Sequence, residues 1–440
     1  MPLKLNLRGW ALRWAKRLQT QRLPAQHLPT VSLLAPRLSA LLMGLLVILL
    51  ASPAYARESP DMRVRVLVLD KTAEMTVEGL DLAAADARTG ELYFNGKERA
   101  KVQLKAGVML LNGGSLKSDR VWFDAPLIYL KLNGKEYRGP LEIRRDGSQL
   151  QAILHLSLES YLMGTVPGEM PVSWPLEALK AQAVVARTYA WMQVLRNENQ
   201  TYDVSSDTRD QVYIGGKAED PRVTQAIRFT EGIVLMRNDK LVEAFYHSTC
   251  GGATEVPVNV WPTATAEQPS VACDACRSST HYAWELKLTQ TELARLLGPA
   301  GLQGSKVTAL EVVTRSDSGR ALTLEIRADE GLLTLDGNTF RKWVGYGKLK
   351  STRFTLQQSG ETYLFSGTGF GHGAGMCQWG TRGQATQGKK AEEMLQHYYP
   401  GSVRVKLIPG MQTSVGELGN PGPEPGAAEP VPPSGTSATP

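Results

Sequence analysis

The segment YLMGTVPGEMPVSWPLEALKAQAVVARTYAW, residues 161–191, places a single carboxylate just ahead of a strongly patterned helix. The carboxylate is Glu169, and the Gly and Pro residues around it predict a loop. The helix is predicted to start with Ser173 as its N-cap and with Pro175 in its first turn. A rigid turn before a helix is a common place for a general acid. One face of the helix is small and apolar, which predicts close packing against a sheet; it carries Leu179, Ala183, Ala186 and Ala190.

A second unusual loop is GTGFGHGAGMCQWG, residues 367–380, which is too rich in glycine for an ordinary helix or strand. His372 lies between glycines, where the backbone can approach a ligand closely, so we predict that it contacts substrate or stabilises the transition state; a purely structural histidine is the alternative. Gln378 is predicted to hydrogen-bond the substrate, whereas Trp379 fits core packing better than a binding subsite. We expect the two loops to meet and form one site.

The segment DTRDQVYIG, residues 207–215, combines polar and aromatic side chains in a predicted loop. Such loops suit ligands that carry both hydroxyl groups and apolar faces, which makes Gln211 and Tyr213 candidate substrate-binding residues. Asp210 either orients Tyr213 or holds Arg187, and the sequence does not choose between these roles. Arg187 itself is expected to be structural and to bond across to a loop.

The sequence before the helix predicts an antiparallel β module. The stretch VRVLVLD, residues 64–70, alternates in polarity, and further short runs of this kind are separated by Asn-Gly and Asp-Gly turns. The predicted fold is α+β: a β-rich mixed fold with an N-terminal antiparallel module and a helix-flanked catalytic cleft. The predicted divisions are a signal peptide (1–56), the β module (57–150), the catalytic region (151–405) and a disordered Pro- and Gly-rich tail (411–440).

The first 56 residues have the layout of a secretory signal peptide: a basic segment, the apolar run 38–50 and the small-x-small sequence Ala54-Tyr55-Ala56. The alternative is an uncleaved anchor, although the apolar run is short for a membrane span. We therefore predict export to the periplasm or to the extracellular side of the cell wall. Removing the seven basic leader residues from the 49 in the chain leaves 42 basic against 43 acidic residues. This neutral balance argues against nucleic acid as a partner.

The four cysteines form a second candidate site. In an exported protein, disulfides are the ordinary interpretation. However, the Cys273-Asp-Ala-Cys276 spacing is typical of metal ligands, and Cys250 lies in a Thr-Cys-Gly-Gly turn. We predict that Cys250, Cys273 and Cys276 lie close together and hold a structural zinc ion. The fourth ligand would be Cys377, His247 or His281, and Cys377 would tie the glycine-rich loop to the cluster. Disulfides and free thiols stay open as alternatives.

Several short motifs, taken together and in this order, resemble the stage II sporulation protein D family of peptidoglycan-acting proteins. The resemblance covers nearly all of the folded part, from about residue 63 to residue 405. The matching motifs are Tyr137-Arg-Gly-Pro-Leu, Tyr161-Leu-Met-Gly, Gly168-Glu-Met-Pro171, Ser173-Trp-Pro, the run 178–190, Asp210-Gln-Val-Tyr213, His247-Ser-Thr-Cys-Gly-Gly, the loop 369–380 and His397-Tyr-Tyr-Pro-Gly401. The chain departs from the family pattern at His155, Ser160 and Cys377.

The resemblance implies a lytic transglycosylase that cleaves cell-wall glycan strands, preferably strands already stripped of their stem peptides. The family's catalytic glutamate lies in a Glu-Met-Pro motif, which here is Glu169. A cell-wall amidase that removes the peptides first is the implied partner. Other family members modify an amidase and are not enzymes, which gives the alternative function. Zinc is known in the family, but its ligands cannot be matched one by one to these cysteines.

The chemistry of a lytic transglycosylase requires only one acid and no cofactor. The acid protonates the glycosidic oxygen, and the 6-hydroxyl of the sugar then closes a 1,6-anhydro ring and returns a proton to the same carboxyl. Because water is not the nucleophile, the second carboxylate of ordinary glycosidases is dispensable. The acid must be protonated near neutral pH, which requires an apolar setting that raises its pKa. Met170, Pro167, Pro171 and Trp174 are candidates for this setting.

Overall fold

The computed structural model describes residues 62–125, 129–264 and 268–408, together with residues 411 and 413. The predicted signal peptide lies outside these ranges, as does almost all of the predicted tail. Within these ranges, no helix combines the length and the apolar character needed to cross a membrane.

The N-terminal part of the chain forms one large sheet that is antiparallel except at one edge. Its strands are β1 (Arg63–Thr72), β2 (Glu74–Asp86), β3 (Leu92–Lys105), β4 (Val108–Leu111), β5 (Gly114–Ser115), β6 (Arg120–Asp124), β7 (Tyr129–Leu132), β8 (Lys135–Arg138), β9 (Leu141–Asp146), β10 (Gln149–Ser157) and β11 (Val204–Ser205). Their order is β11-β1-β10-β9-β6-β2-β3-β4-β5, with β7 joining β2 to β8. Only β11 runs parallel to its neighbour, β1.

Local sequence explains the shape of this sheet. In β6, Val121 and Phe123 are buried while their neighbours are partly exposed, which is the period of two expected for a strand with one face on the core. At the β7–β8 hairpin, Asn133 and Gly134 have φ values of 49° and 80°. Both central residues of such a turn need a positive φ, so this Asn-Gly pair is a hairpin turn as predicted.

Three helices, α1 (Leu158–Glu169), α2 (Leu176–Arg196) and α3 (Pro221–Phe229), pack together beside this sheet. The predicted small face of α2 joins the core that the sheet forms. Other α2 residues, including Ala181 and Val185, lie in a separate core with the cysteines. Helix α2 is therefore buried between the β module and the second candidate site, which is why small residues occur on more than one of its faces.

The prediction of a loop around Glu169 is wrong, because the segment is helical. Helix α1 is capped by Ser157, whose hydroxyl accepts the Ser160 N–H, and it runs from Leu158 through Pro167 to Glu169. The predicted N-cap of α2 is wrong as well: Ser173 lies outside the helix, and the cap residue is Pro175, which makes no side-chain cap bond. Tertiary packing overrides the weak local helix propensity of this stretch.

After α3 the chain forms β12 (Ile233–Arg237), β13 (Lys240–Leu241) and β14 (Tyr246–His247). It then enters a unit with its own hydrophobic core, residues 283–368, which we call the insert. The insert contains β15 (Ala283–Thr289), α4 (Gln290–Leu297), β16 (Val307–Arg315), β17 (Ala321–Ala328), β18 (Leu332–Asp336), α5 (Gly337–Val344), β19 (Phe354–Ser359) and β20 (Thr362–Thr368). These strands form two three-stranded antiparallel sheets, β15-β20-β19 and β16-β17-β18.

The last elements of the described chain are β21 (Met376–Cys377), α6 (Gln378–Thr386), α7 (Ala391–Tyr398) and β22 (Val403–Lys406). Strand β21 pairs with β14 in parallel, and β22 pairs with β12, so both pair with strands from the middle of the sequence. Short 3-10 helices occur at Gly216–Ala218, Pro257–Asn259 and Gly298–Ala300. The mixed, β-rich α+β class and the antiparallel N-terminal module are thus confirmed.

Candidate functional site

The carboxyl group of Glu169, the last residue of α1, is fully buried. Its Oε1 atom accepts the main-chain N–H of Val212 at 2.7 Å. Its Oε2 atom has no hydrogen-bond partner among the residues that the structure describes. Burial raises the pKa of this carboxyl to about 8, and the Val212 N–H, Tyr246 and Gln378 offset part of that effect. The group is therefore protonated near neutral pH, as a general acid must be.

Tyr246 and Gln378 lie close to the Glu169 carboxyl from two different elements. Both are near enough to lower its pKa, but neither makes a hydrogen bond to Oε2 in this structure. Tyr246 is the first residue of β14, and its hydroxyl accepts the Gln211 Nε2–H at 2.9 Å. The Glu169 site, as we use the term, consists of Glu169, Val212, Tyr246 and Gln378.

The glycine-rich loop meets the Glu169 segment, as the sequence predicted. Gln378 belongs to the predicted loop but is the first residue of α6, so the prediction that the whole of 367–380 is a loop is wrong at this end; its Nε2 donates to the main-chain oxygen of Glu169 at 3.0 Å. The same nitrogen lies 3.5 Å from Oε1 of Gln182 on α2. The Oε1 atom of Gln378 is buried and has no partner in the described ranges. Sugar binding by Gln378 stays a prediction.

Gln211 and Tyr213 are both buried, next to the Glu169 site. The Oε1 atom of Gln211 accepts the Tyr161 hydroxyl at 3.2 Å, so Gln211 joins α1 to Tyr246. The Tyr213 ring stacks between Tyr161 and Tyr137, with ring centres 5.6 and 6.4 Å away. These contacts give both residues packing roles. Substrate contact by either residue stays a prediction.

His372 binds the main chain of β14 and thereby orients the glycine-rich loop. Its Nε2 lies 2.9 Å from the Tyr246 carbonyl oxygen, and its Nδ1 accepts the Ala374 N–H at 3.1 Å. Nε2 is therefore the protonated nitrogen. His247 lies beside it, with ring centres 5.5 Å apart, and burial holds the pKa of His247 well below its usual range. A transition-state role for His372 stays a prediction.

The roles that the sequence left open for Asp210 are both wrong. Asp210 accepts the Tyr189 hydroxyl at 3.0 Å and the Ser205 N–H at 2.8 Å. Arg187 is instead held by two 2.7 Å bonds to Glu159. Arg187 is thus structural as expected, although it joins two helices and not a helix to a loop.

Sequence reasoning missed Tyr246 and Val212. Val212 acts through its main-chain N–H, which every residue except proline carries, so no side-chain pattern could have identified it. Tyr246 precedes the His-Ser-Thr-Cys motif, and its aromatic neighbour Phe245 gives no local reason to choose between them. Only the fold shows which of the two rings points toward Glu169.

The cysteine cluster, which we define as Cys250, Cys273, Cys276 and Cys377, is buried close to α2. The four Sγ atoms lie within 4.8 Å of one another, and all four are free thiols in this structure. The Cys250 and Cys276 sulfurs are 3.5 Å apart. A tetrahedral zinc ion with Zn–S bonds of about 2.3 Å places its sulfurs about 3.8 Å apart. The donor set and its spacing therefore fit zinc.

Backbone amides surround the cysteine sulfurs. The Cys377 sulfur accepts the N–H of Cys250 at 3.2 Å and of Gly380 at 3.3 Å, and the Gly252 N–H lies 3.5 Å from the Cys250 sulfur. Donors of this kind stabilise thiolates, the form in which cysteine binds metal. A Cβ atom at Gly380 would lie 2.5 Å from the Cys273 sulfur, so only glycine lets α6 approach the cluster this closely.

Comparison with known proteins gives two matches to families. Residues 146–236 match the sequence model described as SpoIID, Stage II sporulation protein. Residues 273–375, which contain the insert, match a domain of unknown function, DUF8618. The first match includes α1, α2 and Glu169, and the second includes two of the four cysteines.

Curated relatives extend the similarity beyond these two regions. An uncharacterized protein of Brachyspira hyodysenteriae is 33% identical over 61% of this chain and 72% of its own length. The Stage II sporulation protein D of Bacillus subtilis is 29% identical over 57% of this chain and 75% of its own length. The Amidase enhancer of Bacillus subtilis is also 29% identical, over 55% of this chain but only 40% of its own length.

Proposed function

Because this chain belongs to the stage II sporulation protein D family, we propose that it is a peptidoglycan lytic transglycosylase that acts on glycan strands, preferably peptide-stripped ones. We propose that it is exported and works at the cell wall, in the periplasm or outside the cell. The observation that carries the proposal is the environment of the Glu169 carboxyl. The group is buried, its burial raises its pKa, and only one of its two oxygens accepts a hydrogen bond from the residues that the structure describes. Such a group is a proton donor at neutral pH.

In the proposed reaction, Glu169 is both acid and base. Its proton, on Oε2, passes to the glycosidic oxygen while the bond from that oxygen to the anomeric carbon breaks. The 6-hydroxyl of the same sugar then bonds to the anomeric carbon and gives its proton to the carboxylate. Atoms and charge balance without water, and Glu169 returns to its protonated form. The Val212 N–H keeps Oε1 in place, which leaves Oε2 for the proton transfers.

The glycan reaches Oε2 only when part of the wall around Glu169 moves, because the carboxyl is enclosed in this structure. Residues 206–215 are the irregular part of that wall. Val212 in this segment holds Oε1, and its carbonyl packs directly on Gly168. We propose that this wall opens beside Oε2 when a glycan strand binds, while Gln211 and Val212 keep their contacts with the site.

The substitution Glu169→Gln tests the assignment. An amide keeps the shape of the side chain but cannot donate the proton, so cleavage of peptide-free glycan is expected to fall about 100-fold or more. Folding and glycan binding should persist. Glu142→Gln is the matched control, since Glu142 is another largely buried glutamate, bonded to His155. Near wild-type turnover by Glu169→Gln would reject the role of this residue.

The chemistry of the new chain ends separates this mechanism from hydrolysis. Mass spectrometry of the products should find 1,6-anhydro ends, with no label when the reaction is run in oxygen-18 water. Incorporation of oxygen-18 would identify a hydrolase, and a second carboxylate would then be required.

The alternative function is that of a non-catalytic glycan-binding modifier of a cell-wall amidase. It is supported by the similarity to a protein named Amidase enhancer. A modifier would raise amidase turnover on intact peptidoglycan and leave the glycan chain length unchanged. It would do so equally well with Glu169→Gln, whereas the lytic enzyme would lose its effect on chain length in that variant.

We also propose that the cysteine cluster holds one structural zinc ion, which would fix the β14–β21 region without taking part in catalysis. Protein purified without chelator should contain one zinc per chain, and chelation should lower its melting temperature. Cys377→Ala should lose the metal. His281→Ala should keep it, because His281 bonds Lys350 and is not a member of the cluster. Protein without metal that carries a Cys250–Cys273 or Cys250–Cys276 disulfide would refute this proposal.

A further inference from the structure

A chain of hydrogen bonds leads from α1 through the segment 206–215 to Tyr246. Tyr161 donates its hydroxyl to Oε1 of Gln211 at 3.2 Å, and Nε2 of Gln211 donates to the Tyr246 hydroxyl oxygen at 2.9 Å. All three side chains are buried. Because Gln211 uses a lone pair of the Tyr246 oxygen, the Tyr246 proton remains available for another acceptor.

The acceptor that the geometry offers is the Glu169 carboxyl. Its Oε2 atom is buried without a partner among the described residues, and Tyr246 lies close enough to lower the pKa of the group. The backbone of Tyr246 is fixed on both sides. Its strand pairs with Met376 of β21, and its carbonyl oxygen binds His372. The hydroxyl is therefore held against the site by the sheet, and Gln211 fixes its rotation.

We propose that Tyr246 is a positioning residue whose hydroxyl donates a hydrogen bond to Oε2 of Glu169 when the carboxyl loses its proton, and that Gln211 orients it for this task. The inference rests on the proposed function, in which Glu169 passes through a carboxylate. At that stage the Val212 N–H would bind one oxygen and Tyr246 the other. A buried carboxylate with two donors is more stable than one with a single donor, so proton release becomes easier.

Of the other donors near the carboxyl, Nε2 of Gln182 is without a partner among the described residues, and it makes no hydrogen bond to Oε2 in this structure. From α6 and α2 the neighbours are the amides Gln378 and Gln182, and the Gln378 nitrogen is bound to the main chain of Glu169. The nearby titratable groups are Tyr161, whose proton goes to Gln211, and Asp210, which is held by Tyr189 and Ser205.

The substitution Tyr246→Phe tests the proposal through the pKa of Glu169 itself. Loss of a hydrogen bond to the charged form should raise that pKa by about one pH unit, measured by carbon-13 NMR of protein labelled at the glutamate carboxyl and assigned with Glu169→Gln. In glycan cleavage, the alkaline limb of the pH profile should move to higher pH by the same amount. The turnover at the optimum should fall about tenfold.

Tyr399→Phe is the matched control, because Tyr399 is also a buried tyrosine and donates to the main chain of Phe245, next to Tyr246. It should lower stability without changing the Glu169 pKa. The proposal is overturned if Tyr246→Phe leaves this pKa unchanged or lowers it, or if Tyr399→Phe raises it equally. The NMR titration needs no substrate, so absence of cleavage by the wild type would reject the proposed function and leave this test intact.

Discussion

At the scale of single residues, the buried carboxyl of Glu169 makes the stability of the fold depend on pH. Its pKa is about 8 in the folded chain and near 4.5 when unfolded. Between these values the folded state binds the proton and the unfolded state does not. The contribution of the Glu169 carboxyl to the free energy of unfolding is therefore fully present below about pH 4.5 and is lost as the pH rises through about 8. The full loss is on the order of a few kcal/mol.

We therefore predict that Glu169→Gln, which removes this titration, makes the free energy of unfolding less dependent on pH between 5 and 8. The variant should gain stability over the wild type as the pH rises, measured by urea unfolding at several pH values. Glu142→Gln should leave the pH dependence between 5 and 8 unchanged and alter it only at lower pH. Its bond to His155 lowers the pKa of Glu142 despite burial, so that carboxylate stabilises the fold above about 4.5. Parallel pH curves for the wild type and Glu169→Gln would contradict the prediction.

At the scale of elements, two glycines set the position of Glu169 in α1. A Cβ atom at Gly164 would lie 2.4 Å from the Tyr213 ring, and one at Gly168 would lie 2.4 Å from the Val212 carbonyl oxygen. Glycine is a poor helix former, so these residues indicated a loop in the sequence. Their actual role is to let the segment 206–215 approach the helix. That contact brings the Val212 N–H to the carboxyl.

Gly168→Ala should therefore separate the segment 206–215 from Glu169. We expect a loss of about 1–3 kcal/mol in stability from the forced backbone shift. We also expect a further rise in the Glu169 pKa, because the Val212 N–H lowers it. Urea unfolding and the NMR titration measure the two effects. Gly298→Ala is the control, since a Cβ atom there meets nothing within 4 Å. Unchanged or higher stability of Gly168→Ala would show that helix propensity, and not packing, governs Gly168.

The success of sequence prediction differs between elements for a physical reason. Where a local interaction decides the structure, the prediction holds: the Asn133-Gly134 pair has the positive φ values of the predicted hairpin turn. The close grouping of Cys273 with Cys250 follows less directly, because it was inferred from the metal-ligand spacing of Cys273 and Cys276 and from the turn at Cys250. The geometry around Glu169 depends on Val212 and Tyr246, which are distant in sequence and have no local signature, so it could not be predicted.

At the scale of the whole molecule, the insert is attached to the cysteine cluster through two arginines. Arg320, between β16 and β17, donates to the carbonyl oxygens of Cys250 at 2.7 Å and Ala253 at 2.9 Å. Arg353 donates to the carbonyl of Gly251. The Arg320 guanidinium also lies against Gly373, where a Cβ atom would come within 2.5 Å. The insert thus supports both the cysteine loop and the glycine-rich loop, although its core is its own.

Arg320→Lys should weaken this attachment while leaving the insert folded. One ammonium group cannot replace a planar guanidinium that reaches two carbonyl oxygens from opposite ends, so one buried carbonyl loses its partner at a cost of about 1–3 kcal/mol. Hydrogen exchange should become faster at residues 250–253 and 370–376, with little change in β16–β18. Arg327→Lys is the control, because Arg327 is exposed on the same sheet and only pairs with Glu325 at 3.5 Å. Faster exchange throughout the insert would mean that Arg320 stabilises the insert itself. Unchanged exchange at both loops would mean that the insert is held to the cysteine cluster by other contacts.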